Sequence, residues 1–314
     1  MSERHGHHHA HGEHGHEGHA GHHGHAGHEP DLDWREMAEA LETEAELYAD
    51  GVRLMLGWLD EVLNTTGGGS PERVLDVGSG PGINTTLLAE AFPEAQVVAV
   101  DGSPELLERA AHHAERLGLA DRISTRRAEL PQDAAGLGRA GLVWSSRVVH
   151  HVGDQQQALK ALAGAVEDGG ALAVVEGGLS ARYLPRDIGF GRPGLATRLE
   201  ALREEWFTRM RDGLPGLVSV VEHWPALLAE AGLRPVGSRT FLTEIRDPLP
   251  AAVRRHVHGQ LTRSRERLAE ELESDDLATL DRLLDEDSPE GVLHRPDLFL
   301  LTANTVHAAV RDPS

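Results

Sequence analysis

Three glycines, Gly78, Gly80 and Gly82, lie between an apolar run that predicts a strand and a pattern that predicts a helix. Glycine allows a tight turn and lets backbone N–H groups come close to a ligand. The N-terminus of the following helix adds a partial positive charge, which favours a carboxylate or a phosphate. We therefore predict that this turn, including Ser79, binds a cofactor.

An acidic residue, Asp101, ends the next predicted strand, 19 residues after Gly82. A carboxylate at that position can accept hydrogen bonds from both hydroxyls of a ribose. Two cofactor classes share this feature. In the dinucleotide fingerprint the third glycine stands where this chain has Ile83, so the G-x-G-x-G spacing counts against a nicotinamide cofactor.

Titratable side chains follow two later predicted strands. His150 and His151 come after the fourth strand, and Glu176 ends the fifth. Histidine titrates near neutral pH, so it can act as a general base in the crevice at the carboxyl ends of the strands. We take all three as candidate catalytic residues. The alternative is a structural role for the histidines and a hydrogen-bonded strand end for Glu176.

Alternating strand and helix patterns predict an α/β fold with a doubly wound, mainly parallel sheet. A helix that carries Leu159, Leu162 and Val166 is predicted to end at the glycine pair 169–170, and a helical pattern covers 250–286. The predicted strands are 73–77, 96–100, 123–127, 142–145, 171–176, 235–240 and 306–310.

The chain divides into seven predicted segments. These are 1–30 (disordered His-rich tail), 31–66 (N-terminal helical segment), 67–178 (cofactor-binding core), 179–219 (helical insertion), 220–248 (core continuation), 249–294 (helical insertion) and 295–314 (final core strand). We expect the two insertions to cover the substrate side of the sheet. Alternatively, they extend the core or form the contact of a homodimer.

Twelve of the 21 histidines lie between His5 and His28, separated by Gly, Ala and Glu. Such a segment cannot bury a core, which predicts disorder. Neutral imidazoles are good ligands for nickel and zinc, so we predict loose metal binding. The proposed ligands are His5, His7, His8, His9, His11, His14 and His16. A soluble tail with incidental metal affinity is the simpler interpretation.

Composition limits the function classes. The 314 residues include no cysteine, which excludes disulfides and thiolate nucleophiles. A formal charge of −21 repels phosphate backbones, so we expect no nucleic-acid partner. No apolar run is long enough to cross a bilayer, and the first residues form no signal-peptide core. We therefore expect a cytoplasmic protein without membrane contact.

Four segments resemble, in order and spacing, the motifs of class I S-adenosylmethionine-dependent methyltransferases that act on small molecules. They are Val74–Gly82, Val98–Ser103, Leu142–Val152 and Val166–Leu172. Together they cover about residues 73–176. The resemblance implies a Rossmann-like methyltransferase sheet, with S-adenosylmethionine (SAM) bound by the core at 67–178.

The resemblance also implies the cofactor contacts. These are Asp76, Gly78, Ser79, Gly80, Gly82, Asp101, Gly102, Glu129 and Ser145. Asp76 would orient the amino group of SAM, Asp101 would hold the ribose, and Glu129 would face the adenine amino group. The backbone of Ser145 would line the methionine end.

The leading prediction is therefore an enzyme that transfers a methyl group from SAM to an O, N or C atom of a small molecule. The transfer is an in-line displacement, which mainly requires alignment of the acceptor and exclusion of water. Two alternatives stay open: an NAD(P)-dependent oxidoreductase, and a non-catalytic protein that binds SAM and metal.

Overall fold

The computed structural model describes residues 34–246 and 248–313. The His-rich segment, with its seven predicted metal ligands, lies outside these residues. The helices are α1 (Trp34–Thr66), α2 (Ile83–Ala91), α3 (Pro104–Arg116), α4 (Gln155–Gly164), α5 (Leu195–Asp212), α6 (Trp224–Glu230), α7 (Ala251–Arg267) and α8 (Ser274–Leu284). The strands are β1 (Arg73–Val77), β2 (Gln96–Asp101), β3 (Ile123–Arg127), β4 (Ala140–Ser146), β5 (Val166–Arg182), β6 (Arg234–Ile245) and β7 (Leu300–Val310).

Within the described residues, seven strands form one sheet in the order β3-β2-β1-β4-β5-β7-β6. Strands β1 to β5 run parallel, whereas β7 lies antiparallel to both β5 and β6. The strand order reverses between β1 and β4, and open α/β sheets bind ligands outside the carboxyl ends of the strands at such a point. The predicted α/β fold with a doubly wound, Rossmann-like sheet is confirmed.

Helices cover both faces of the sheet because successive side chains of each strand point to opposite faces. Val74 packs with residues of α1 and α2 on one face, and Leu75 packs with residues of α4 and α6 on the other. Both side chains are fully buried. The sheet therefore lies between two apolar layers of side chains.

Several boundaries predicted for the second half of the chain are wrong. Helix α4 ends at Gly164, and Val166 already pairs with Ala140 in the sheet. The polar residues 167–170 interrupt the apolar run of β5 and disguise its beginning. The helical pattern predicted over 250–286 corresponds to two helices, α7 and α8. Strands β6 and β7 are longer than predicted because polar residues hide their pattern.

The helical segments of the second half pack on one another. Helices α5, α7 and α8 share an apolar cluster that includes Leu199, Val257 and Leu280, all fully buried. Phe207 of α5 and Gln260 of α7 reach the carboxyl edge of the sheet. Nowhere in the described part of the chain does a helix combine the length and apolar character needed to cross a bilayer.

Candidate active site

A cavity of about 400 Å³ opens at the carboxyl ends of β1, β2, β4 and β5. This volume lies in the range of roughly 300–1,000 Å³ that is typical of small-molecule sites. Its lining comprises Leu41, Glu44, Ala45, Tyr48, Val52 and Met55 from α1; Gly78, Ser79, Gly80, Pro81, Ile83 and Asn84 from the glycine turn and α2; and Asp101, Leu106, Ser146, Arg147, Val148, His150, His151, Val175 and Asn304. Six of the twelve residues predicted at the cofactor and catalytic site therefore line one cavity.

The glycine turn is fixed against strand β2. The N–H groups of Gly78 and Ser79 both donate to the carbonyl oxygen of Val100, at 2.8 and 3.0 Å. Gly78 has a φ of +76°, and a Cβ placed there would lie 2.1 Å from Cγ2 of Val148. Position 78 therefore requires glycine both for its left-handed backbone and for its close approach to the loop after β4.

Asp101 is held at the cavity wall by two backbone hydrogen bonds. Its Oδ2 accepts from the N–H of Gly80 and its Oδ1 from the N–H of Ser103, each at 2.9 Å. Each carboxylate oxygen has further acceptor capacity. The side chain is thus positioned to receive hydroxyl groups from a ligand in the cavity.

Gly82 closes the turn against helix α3. Its φ is +83°, and a Cβ there would lie 2.5 Å from the Cβ of Ala110. We expect Gly82→Ala to lower the free energy of unfolding by ~2–5 kcal/mol, because a left-handed alanine costs ~1–2 kcal/mol and overpacking ~1–3 kcal/mol.

The matched control for this prediction is Gly67→Ala. Gly67 has a similar φ of +87°, but no described atom lies within 4 Å of a Cβ placed there. Its substitution should therefore cost only the backbone part, ~1–2 kcal/mol. Urea unfolding measures the free energy of unfolding of both variants. If both lost the same amount, the close approach of Gly82 to α3 would contribute nothing to stability.

Asp76 lies beneath the turn, with 1% of its surface exposed. Burial raises the pKa of Asp76 to about 7; the nearby Asp101 adds to this, while a hydrogen bond from Thr85 opposes it. Oγ1 of Thr85 donates to Oδ2 of Asp76 at 2.6 Å. Asp76 is not among the described residues that line the cavity, and its predicted role in orienting the amino group of SAM stays a prediction.

The raised pKa of Asp76 predicts a stability that falls as pH rises. The folded protein holds the proton of Asp76 more tightly than the unfolded chain does. The protonated carboxyl therefore adds its full share to the free energy of unfolding below ~pH 4, and this share is lost as pH rises through about 7. Asp76→Asn cannot ionise. Relative to the wild type, this variant should gain up to ~4 kcal/mol at pH 8, from a shift of roughly three units at 1.36 kcal/mol each.

Urea unfolding at pH 5 and pH 8 measures this difference. Asp121→Asn, at an exposed position before β3, is the control and should keep the pH dependence of the wild type. A wild type and an Asp76→Asn variant with the same pH dependence would contradict the burial of an ionisable carboxyl at position 76.

The other predicted cofactor contacts lie around the cavity rather than on its surface. A Cβ on Gly102 would lie 3.5 Å from Cγ of Glu129, so the Glu129 side chain lies near Gly102 at the end of β2. Ser145 is fully buried, and its Oγ has no hydrogen-bond partner among the described residues. Its neighbour Ser146 lines the cavity instead. SAM contacts of Gly82, Gly102, Glu129 and Ser145 stay predictions.

Glu176 organises the loop that follows β4. Its Oε1 accepts from the N–H groups of Val148, at 3.1 Å, and Val149, at 2.9 Å. Its Oε2 lies 2.7 Å from Nδ1 of His150. With a side chain only 4% exposed, Glu176 sits behind the loop and orients His150. A direct catalytic contact of Glu176 with a substrate stays a prediction.

The two histidines face each other at the cavity. Nε2 of His150 lies 3.0 Å from Nε2 of His151. Desolvation and the neighbouring His150 lower the pKa of His151 to about 4, so its ring is neutral near pH 7. Because the Glu176 carboxylate accepts the Nδ1 proton of His150, Nε2 of His150 is left as the acceptor. The three side chains form a hydrogen-bonded relay, Glu176–His150–His151.

Helix α1 forms the wall opposite the turn, which the sequence analysis did not predict. Its cavity residues are spaced three or four apart along one face of the helix, apart from the adjacent pair Glu44 and Ala45. Glu44 interrupts that stripe, and its Oε1 accepts from Nη1 of Arg147. Arg147 has a φ of +59°, which is uncommon for a residue other than glycine. A charged residue within an apolar stripe was the available signal, but the sequence gives no partner for it.

Comparison with known proteins gives concordant matches. Residues 74–170 match a family model described as a methyltransferase domain. The chain is 31% identical over 236 residues to trans-aconitate 2-methyltransferase from Mycobacterium sp. (strain KMS), which covers 73% of this chain and 84% of that protein. It is 39% identical over 104 residues to the enzyme of that name from Pseudomonas paraeruginosa, covering 33% of this chain and 35% of that protein. The match thus spans about a third of the length of the Pseudomonas relative.

Among solved structures, the chain is similar to human N-acetylserotonin methyltransferase in complex with SAM. The sequence identity is 20% and the TM-score is 0.44. The alignment covers 65% of this chain and 51% of the human protein.

Proposed function

The chain belongs to the class I S-adenosylmethionine-dependent methyltransferases, and on this premise we propose that it methylates a small-molecule acceptor with SAM. One observation carries the proposal. A single cavity joins the glycine turn and Asp101 to the relay Glu176–His150–His151. A cofactor subsite and a proton acceptor therefore share one cavity.

The residues at the turn fit SAM. Gly80 has a φ of +54°, and a Cβ there would meet no described atom within 4 Å, so space is open above the turn. Asp101 would hold the ribose, Leu106 offers apolar surface nearby, and the backbone at Gly78 and Gly80 would lie along the methionine part. When bound, SAM supplies a methyl group on a sulfonium, a leaving group already activated by its positive charge.

The histidine relay suits an acceptor that must lose a proton. Glu176 fixes the tautomer of His150, so Nε2 of His150 can accept a proton from a hydroxyl or an ammonium group. That nitrogen lies 3.0 Å from Nε2 of the neutral His151, and the methyl acceptor would take the place of His151 beside it. The apolar side chains of Val52 and Met55 on α1 would exclude water from the same space.

A second acceptor class follows from the names of the relatives. Trans-aconitate carries carboxylates, and a carboxylate oxygen can be methylated without losing a proton. For such an acceptor, the relay would position the molecule rather than remove a proton from it. We favour the hydroxyl or amine acceptor, because a buried carboxylate that fixes a histidine tautomer is the arrangement of a general base.

The test is a screen of acceptors by release of S-adenosylhomocysteine. Hydroxylated compounds, amines and trans-aconitate are each supplied with SAM. Turnover of a hydroxyl or amine compound supports the proposal, whereas turnover restricted to trans-aconitate favours the second class. Tight SAM binding without turnover of any acceptor would favour the non-catalytic alternative.

Calorimetry with SAM and with NAD⁺ separates the two cofactor classes. Binding of NAD⁺ in preference to SAM would overturn the proposal in favour of an oxidoreductase. Loose nickel or zinc binding by the His-rich segment stays a separate prediction, and removal of residues 1–30 should leave methyl transfer unchanged.

A further inference from the structure

Arg147 is the charged residue most directly presented to the cavity from the loop after β4. Its side chain is 57% exposed, and its left-handed backbone turns the guanidinium toward α1. There Nη1 donates to Glu44. A non-glycine residue in this conformation is strained, and such strain clusters at ligand-binding sites. The surrounding structure thus holds Arg147 in a conformation that packing alone would not favour.

The carboxylate of Glu44 lies among positively charged side chains at the α1 wall of the cavity. Glu44 also accepts from Nε2 of Gln260, at 3.4 Å. Burial would raise the pKa of Glu44, but Arg147, His256 and Arg263 together hold it below its ordinary value. Burial lowers the pKa of His256, so that ring is neutral near pH 7. Two guanidinium groups, of Arg147 and Arg263, therefore stand beside one carboxylate.

Two other carboxylates, of Asp101 and Glu176, lie at or beside the cavity, and both accept hydrogen bonds from backbone N–H groups. Glu176 is 4% exposed and accepts from two backbone N–H groups and from His150, so its charge is directed into the loop. A guanidinium has five N–H donors in a planar fork, and Glu44 engages Nη1 of Arg147. The remaining donors can bind a second carboxylate inside the cavity.

We propose that Arg147, braced by Glu44 of α1, is the specificity-determining residue for an acceptor that carries a carboxylate or a similar acidic group. The inference rests on the proposed methyltransferase function and adds the acceptor's chemical class. Arg147 lies three residues before His150 in one loop, so the anion-binding group and the proposed base are held at a fixed separation. An acceptor would therefore carry its acidic group and its reacting atom in one small molecule.

The experiment compares the wild type with Arg147→Met and with the control Arg234→Met. Arg234 is an ion-paired arginine of similar exposure, 52% against 57%, but it lies on β6 and pairs with Asp312. The probes are malate and 4-hydroxybenzoate, each with its neutral amide, malamide and 4-hydroxybenzamide. Binding is measured by calorimetry on protein saturated with S-adenosylhomocysteine, so no turnover is required.

We expect at least one acid to bind the wild type and the control more tightly than its amide. Arg147→Met should weaken that acid ~10- to 100-fold, as charge-assisted hydrogen bonds are lost, and should leave the amide and SAM affinities unchanged. The proposal is overturned if neither acid binds, if the amides bind as well as the acids, or if Arg147→Met keeps the preference. Failure to bind SAM at all would instead defeat the proposed function.

Discussion

Replacing Asp101 with asparagine is expected to weaken SAM binding by ~10- to 100-fold, the equivalent of one charge-assisted hydrogen bond. In the wild type both carboxylate oxygens accept backbone N–H bonds, from Gly80 and Ser103. An asparagine presents its NH₂ group to one of these donors. We therefore expect the substitution to weaken the proposed ribose contact and to loosen the glycine turn.

Calorimetric titration with SAM measures this loss, and thermal unfolding without ligand shows whether the fold is intact. Asp121→Asn, exposed before β3, removes the same charge from the chain and should leave the affinity at its wild-type value. If Asp101→Asn bound SAM as tightly as the control, Asp101 would have no part in the cofactor site.

The first half of the fold could be predicted closely because its signals are local. Ser103 caps α3 by accepting from the N–H of Leu106, and Pro104 follows in the first turn, so two adjacent residues of the sequence mark where this helix begins. The start of β5 was missed because the residues 167–170 look like a turn, although they lie in a strand that pairs with β4. This boundary depends on pairing with a strand that is distant in sequence, and the local sequence pattern does not reveal that pairing.

The residues of the candidate site also differ in how far the sequence predicts them. Asp101 and His150 could be found because strand ends determine where such residues lie in a parallel sheet. Glu176 was found too, but its position behind the loop depends on the conformation of residues 147–150. Glu44 was missed because it lies on α1, and the helical periodicity of α1 does not show that this helix packs against the cavity.

Replacing His150 with asparagine is expected to lower kcat by ~10²- to 10⁴-fold, the usual contribution of a general base. The amide of asparagine can still donate to Glu176 in place of Nδ1, so the loop should keep its shape. It offers no basic nitrogen in place of Nε2. SAM affinity should therefore match that of the wild type, and the loss should fall on kcat.

This combination distinguishes a proton acceptor from a structural histidine. His112→Asn, on the exposed side of α3, is the control and should retain full turnover. Glu176→Gln should lower kcat as well, because a neutral amide no longer stabilises a protonated His150, and it should change the pH profile of kcat. If His150→Asn kept wild-type turnover on a hydroxyl acceptor, the relay would serve only to shape the loop. In that case alignment against SAM would have to supply the whole rate, and an acceptor that needs no deprotonation would become the better account.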